Sequence, residues 1–232
     1  MDFSQQIQAA EGDDMLNIVG CASWCPPRNM RGTIWSINNA HAAWGRNGIY
    51  YQPDLIIALD DLRRDEIKHP DYVQEIVDAG CPVLNTHNSG KWKNVTAYPL
   101  RKVWEMFPSR SFYDNTINYA FMLALYEGHE HIKFHGCDFV PPYDRHLLRK
   151  WKANWAKRGY HDLPEWFKYY DEDVIHWRGG TEPGVENFHV LLGYAMAAGV
   201  RVDFAKGSTA ANRDRDPFFY GYTTQPKGPW DK

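Results

Sequence analysis

Five short apolar runs in this chain each end in side chains that can bind a polar ligand or move a proton. Gly20, Cys21, Ala22 and Ser23 follow the first, Asn38 and Asn39 the second, and Asp60 and Asp61 the third. Asn85, Thr86, His87, Asn88 and Ser89 follow the fourth; Gly136, Cys137, Asp138 and Phe139 follow the fifth. Any one of these sets is accounted for by turn formation, since Asn, Asp and Ser hydrogen-bond their own backbone. Five in succession point to one polar site, because an open parallel sheet binds ligands beyond the carboxyl ends of its strands. Hydroxyl and amide groups at such an edge hold hydroxyls and phosphates. Carboxylates such as Asp60 and Asp138 hold a hard cation such as Mg²⁺ through phosphate oxygens, or accept a proton.

Two familiar nucleotide signatures are absent. No G-x-x-x-x-G-K-[ST] occurs, and the first turn lacks the three glycines of a dinucleotide fingerprint. This disfavours a P-loop kinase and an ordinary NAD dehydrogenase, yet the backbone amides around Ala22 and Ser23 remain suited to a phosphate. The run His129, His131, His135, Cys137 and Asp138 is rich in metal-ligand types. On a strand, His131 and His135 share a side but stand about 13 Å apart, too far for one zinc ion. They read as half-buried strand histidines.

A second cluster runs from Arg145 to Arg158 and interleaves cations with aromatics: Arg145, His146, Arg149, Lys150, Trp151, Lys152, Trp155. It suits a lid closing over an anionic donor, or a surface tracking a nucleic-acid backbone. A solvated helix packing Leu147, Leu148, Trp151 and Trp155 on the body fits equally. His146, His161, His176 and His189 are the candidate bases beside it.

The elements that must position these groups follow a βαβ rhythm. Strands are expected at Leu16 to Gly20, Thr33 to Asn38, Asp54 to Leu59, Pro82 to Asn85, Ile132 to His135 and Val200 to Phe204. Helices are expected at Ala40 to Trp44, Pro70 to Ala79, Thr116 to Tyr126 (capped by Asn115 or Asp114) and Val185 to Ala198. The fold class is therefore α/β: a Rossmann-like, mostly parallel sheet with helices on both faces and a lid-like helical insertion. Residues 1–140 form its donor-binding part, 141–180 an aromatic and basic lid, 181–207 the return of the core, and 208–232 an aromatic tail.

Composition bounds the function classes. The 232 residues carry a net charge of −3, which excludes a strongly basic nucleic-acid binder or an acidic disordered chain as a description of the whole. Aromatic content is 15%, more than a core of this size needs, and it concentrates in the insertion and the tail. Four cysteines without paired C-x2-C spacing form neither a disulfide framework nor a structural zinc site. No apolar leader and no stretch of ~18 apolar residues occurs, so a cytoplasmic protein without a membrane partner is the expectation.

Three segments together resemble the sialyltransferase-like superfamily: Asn38-Asn39; Pro53 through Asp60; and Ala120-x3-Ala124-x3-Gly128-x3-Ile132-x3-Gly136-Cys137-Asp138-Phe139. That superfamily includes Campylobacter-type sialyltransferases, Maf-type glycosyltransferases and 6-hydroxymethyl-7,8-dihydropterin pyrophosphokinases. Its first turn is usually Gly-Asn-Gly-Pro-Ser, where this chain has Cys21 and Ala22 in place of Asn and Gly. The resemblance implies a glycosyltransferase that takes a sugar from a nucleotide-activated donor to a hydroxyl acceptor. Gly20, Ser23, Asn38, Asn39 and Gly136 would face the donor and Asp138 its sugar or ribose. Arg145, Arg149, Lys150, Trp151 and Trp155 would form the lid. The pyrophosphokinase members imply an alternative in which Asp60 and Asp138 hold Mg-ATP, with His87 and Asn88 near a His/Asn motif. A third alternative is a DNA-binding or base-glycosylating phage protein, with the basic aromatic insertion meeting a nucleic-acid acceptor.

Overall fold

The first strand, β1 (Leu16–Val19), is buried along its whole length, as a central parallel strand covered on both faces must be. The computed structural model describes residues 15–21, 27–88, 90–113, 115–137, 178–205, 208 and 210. After β1 come β2 (Thr33–Ile37), α1 (Ala40–Arg46), β3 (Leu55–Ile57), α2 (Leu62–Lys68), α3 (Pro70–Val77), β4 (Val83–Asn85) and β5 (Val95–Ala97). Then follow α4 (Leu100–Met106), a single 3-10 turn at Arg110–Phe112, α5 (Thr116–Tyr126), β6 (His131–His135), α6 (Arg178–Ala197) and β7 (Arg201–Phe204).

All pairings are parallel and the strand order is β5-β4-β3-β2-β1-β6-β7. The protein is thus a Rossmann-like α/β fold. Period-2 alternation divides its core. Leu16 and Ile18, Trp35 and Ile37, Ile57, and Ile132 and Phe134 join one cluster with α5 and with Phe188 and Leu191 of α6. On the other side Val19 packs with Ala40 and Trp44 of α1, and Ile56, Ala58 and Val83 pack with Leu62, Val73 and Ile76 of α2 and α3.

α5 begins where its cap dictates: Asn115 Oδ1 accepts the Asn118 backbone N–H at 2.9 Å. It is apolar nearly all round, and residues 120–125 are all buried, because it lies between the sheet and neighbouring helices. Gly128, at φ 81°, reverses the chain into β6.

Several elements depart from the sequence reading. α2, β5, α4 and the 3-10 turn were not expected. α2 reads LRRDEIK and buries Leu62 alone, and β5 buries one residue of three, so neither carries an apolar period. α6 starts at Arg178 rather than Val185, so the last residues assigned to the insertion belong to this helix. The rest of the expected lid and the tail beyond Ala210 lie outside the described residues. Among the described residues, no helix is long and apolar enough to cross a membrane.

Candidate functional site

The chain lays down β1 to β5 in one direction, then α4 and α5 carry it back to place β6 on the other side of β1. Strand order reverses between β1 and β6, and the carboxyl ends at such a reversal are where open α/β sheets place a ligand crevice. Its floor is tightly built. Gly20 N–H donates to His135 O at 2.7 Å. A Cβ at Gly20 would overlap the Gly136 carbonyl oxygen and stand 3.2 Å from Cys137 Cα, so only glycine fits. Gly136 itself turns at φ 60°, and the buried Cys137 thiol donates to Ile18 O at 3.4 Å. Trp44 reaches across from α1 and donates its indole N–H to Gly20 O at 2.7 Å.

β2 ends beside this crevice. Asn38 takes a left-handed turn at φ 52°, a conformation Asn tolerates better than most residues, and its N–H donates to Ile57 O at 2.9 Å. Ser36 Oγ accepts the His41 backbone N–H at 3.2 Å and lies 3.3 Å from the Tyr51 hydroxyl, whose ionisation burial pushes far up. Asn39 donates to Glu75 Oε2 at 2.8 Å, Arg46 pairs with the other oxygen of the same carboxylate, and His41 Nε2 donates to Glu75 O at 3.1 Å. Glu75 of α3 therefore ties down both ends of α1, and the Asn39 amide nitrogen is engaged in that tie.

The ends of β3 and β4 continue the edge beyond β2. Tyr72 donates to Asp60 Oδ2 at 3.4 Å. Asp60 is exposed as a whole residue, yet the protein crowding its carboxyl desolvates it and pushes its pKa up, with Asp65 adding to the effect. Asn85 is buried and its amide donates to Asp60 O at 2.6 Å and to Ala58 O, while its Oδ1 accepts the His87 N–H at 3.3 Å. Asn88 Oδ1 accepts from Gly90 N–H at 3.0 Å. Both asparagines are doing the turn work that their type predicts.

The strand histidines each have their own partner, as the spacing argued; His131 is half-buried as expected, whereas His135 is fully buried because it faces the covered side of a central strand. His131 Nε2 lies 2.8 Å from Asp203 Oδ2, which also receives Arg201 at 2.9 Å; these bonds hold the Asp203 carboxyl below the usual range despite its partial burial. His135 Nε2 lies 3.0 Å from Asn17 Oδ1, and burial drops its pKa to about 4. His189 donates to Ala210 O at 2.9 Å. Among the described residues, no group of three or more His, Cys, Asp or Glu is placed to hold a metal ion.

The expected polar edge spans the carboxyl ends of five parallel strands. Gly20 and Gly136 adjoin at the reversal, with Asn38 and Asn39 one strand away, after β2. Asp60 follows β3, three strand intervals or roughly 14 Å from the end of β6, and His87 and Asn88 lie one strand further still. Ser23, Asp138, His146, Arg145, Arg149, Lys150, Trp151 and Trp155 lie outside the described residues. Sequence reasoning missed Trp44, Glu75 and the Asn17–His135 pair as parts of the site. His41 was findable, three residues beyond Asn38 at the start of a helix. Glu75 was not, because it arrives from another helix. No family model, curated protein or solved structure matches the chain.

Proposed function

We propose that this protein is a glycosyltransferase that takes a sugar from a nucleotide-activated donor to a hydroxyl acceptor. The observation that carries the reading is the reversal of strand order between β1 and β6, with the Gly20, Asn38 and Gly136 ends on three adjacent strands, β1, β2 and β6. Doubly wound sheets hold nucleotides at such a point. Backbone amides of the turn after Gly20 suit the donor phosphates. In the reaction the acceptor oxygen bonds to the anomeric carbon as the bond from that carbon to the phosphate oxygen breaks. The acceptor's proton goes to a carboxylate or imidazole, for which Asp138 and His146 are the candidates. The cationic insertion neutralises the leaving phosphate.

The Mg-dependent diphosphokinase alternative draws less support. Of its metal pair, Asp60 carries a carboxyl whose pKa desolvation pushes up, against the ionised form a cation needs.

The test is a melting and calorimetry screen of the full chain against CMP-, UDP-, GDP- and dTDP-sugars, with ATP plus Mg²⁺ and duplex DNA as separate arms. A true donor at a hundred times its Kd adds about 2.7 kcal/mol, a rise of roughly 5–11 °C for a chain of this size. A shift confined to ATP plus Mg²⁺ and lost in Asp60→Asn establishes the diphosphokinase instead. Salt-dependent binding confined to DNA supports the nucleic-acid reading.

A further inference from the structure

Buried polar atoms without partners are rare in folded proteins and call for a specific explanation. Among the described residues, Asn38 Oδ1, His41 Nδ1 and His135 Nδ1 are sealed from solvent with no hydrogen-bond partner. Their positions are related. Asn38 is the first residue after β2, His41 lies in the first turn of α1, and His135 is the last residue of β6. β1 runs between β2 and β6, and α1 is fastened to its end through Trp44. The three atoms thus belong to residues that flank the carboxyl end of β1, across two strand intervals or about 10 Å.

All three atoms are acceptors, and for the two histidines the partners prove it. The Asn17 amide nitrogen donates to Arg31 O at 2.6 Å and to Thr33 O at 3.3 Å; carbonyls only accept, so Asn17 must present its oxygen to His135. His135 Nε2 therefore carries the proton. Burial keeps the ring neutral, which leaves Nδ1 as a bare lone pair. His41 follows the same logic: Nε2 donates to the Glu75 carbonyl, and burial disfavours a second proton in spite of that carbonyl's pull. Phosphate and carboxylate oxygens, which only accept when ionised, have nothing to offer such a set. Hydroxyl groups do.

We infer that the Asn38, His41 and His135 acceptors form a subsite for the hydroxyl-bearing part of the ligand, a ribose or a sugar ring. This deepens the transferase reading and rests on it for the ligand's identity. The acceptors are met only when the ligand's O–H groups reach them, so the subsite selects polyols by the cost of leaving acceptors bare.

The experiment uses the full chain, ¹⁵N-labelled at histidine, and the variant Asn38→Gly, which keeps a backbone free to adopt φ 52° while removing the acceptor. Probes are CMP, UDP-glucose, their 2′-deoxyribose forms, a UDP-deoxyglucose series and inorganic phosphate. The free protein should show both rings as Nε2–H tautomers. Hydroxyl-bearing probes should move the His41 or His135 Nδ1 resonance, and Asn38→Gly and the relevant deoxy probe should each bind roughly 2- to 12-fold more weakly. Loss on removing the 2′-hydroxyl identifies the ribose; loss confined to the deoxyglucose series identifies the sugar. Sugar nucleotides that bind without moving either ring, and equally well to Asn38→Gly, overturn the subsite and leave the transferase standing. CMP engaging the rings while no sugar nucleotide binds does the reverse. An Nδ1–H tautomer, a response to phosphate alone, or a lowered melting point in Asn38→Gly without any change in binding also overturns the subsite.

Discussion

Replacing Gly20 with alanine adds one methyl group where the end of β1 meets the backbone that leaves β6. The new Cβ would overlap the Gly136 carbonyl oxygen, stand 3.0 Å from the Gly136 carbonyl carbon and lie 3.2 Å from Cys137 Cα. Every obstructing atom is backbone, held in place by the β1–β6 ladder and by the Gly20-to-His135 hydrogen bond, so no side chain can swing aside. Relief requires the two strand ends to part, which strains that bond and the Trp44 bond to Gly20 O. Overpacking a close-packed site costs about 1–3 kcal/mol, and rigid backbone obstruction puts Gly20→Ala in the upper half of that range. At roughly 2–4 °C per kcal/mol for a domain of this size, the melting point should fall by about 4–12 °C. The matched control is Gly193→Ala, in α6, where a Cβ meets nothing within 4 Å. It should gain about 0.5–1 kcal/mol from the lower backbone entropy of the unfolded chain. Calorimetric melting of the three proteins decides the matter. If Gly20→Ala melts within about 1 °C of the parent, the close approach of β1 and β6 is wrong, and so is the account of the crevice floor.

Other outcomes follow from the same contacts. Trp44→Phe leaves Gly20 O without its buried donor and should lower stability by about 1–3 kcal/mol, read as a lower urea midpoint at unchanged slope. Asn17→Leu strands the His135 Nε2–H and the Arg31 carbonyl together; it should destabilise more than Trp44→Phe, and a smaller loss in the same titration would contradict the tautomer assigned to His135. His135 is nearly fully buried with a pKa of about 4, below its ordinary 6.5, so between those values the unfolded chain binds the extra proton. Its contribution is complete above about pH 6.5 and declines on acidification by up to about 1.4 kcal/mol per unit until pH reaches about 4. Urea titrations of the parent and His135→Gln at pH 7 and pH 5 should show the variant losing less on acidification; equal losses would refute the assignment.

The order of the elements was legible in the sequence because it depends on short-range pattern. Short apolar stretches marked β1, β3 and β6, unbroken only at β3, and the Asn115 cap and Gly128 bracketed α5 between residues 116 and 126. β5 and α2 escaped because they bury too little to leave a period. The polar residues at the strand ends were legible too, as residues of a carboxyl edge. Which of them share a crevice was not, since that depends on strand order, and strand order is set by pairing between distant segments. The return of β6 to the far side of β1 puts Gly136 beside Gly20 and leaves Asp60 three strands, and His87 and Asn88 four strands, away from it. The same holds for the chemistry of single atoms. Asn39 and Asn38 are neighbours in the chain, yet Glu75 engages one and leaves the other's oxygen bare. The Asn17 bond that fixes the tautomer of His135 spans 118 positions. Local sequence determined that a polar edge exists; the packing of distant segments decided which acceptors at that edge remain bare.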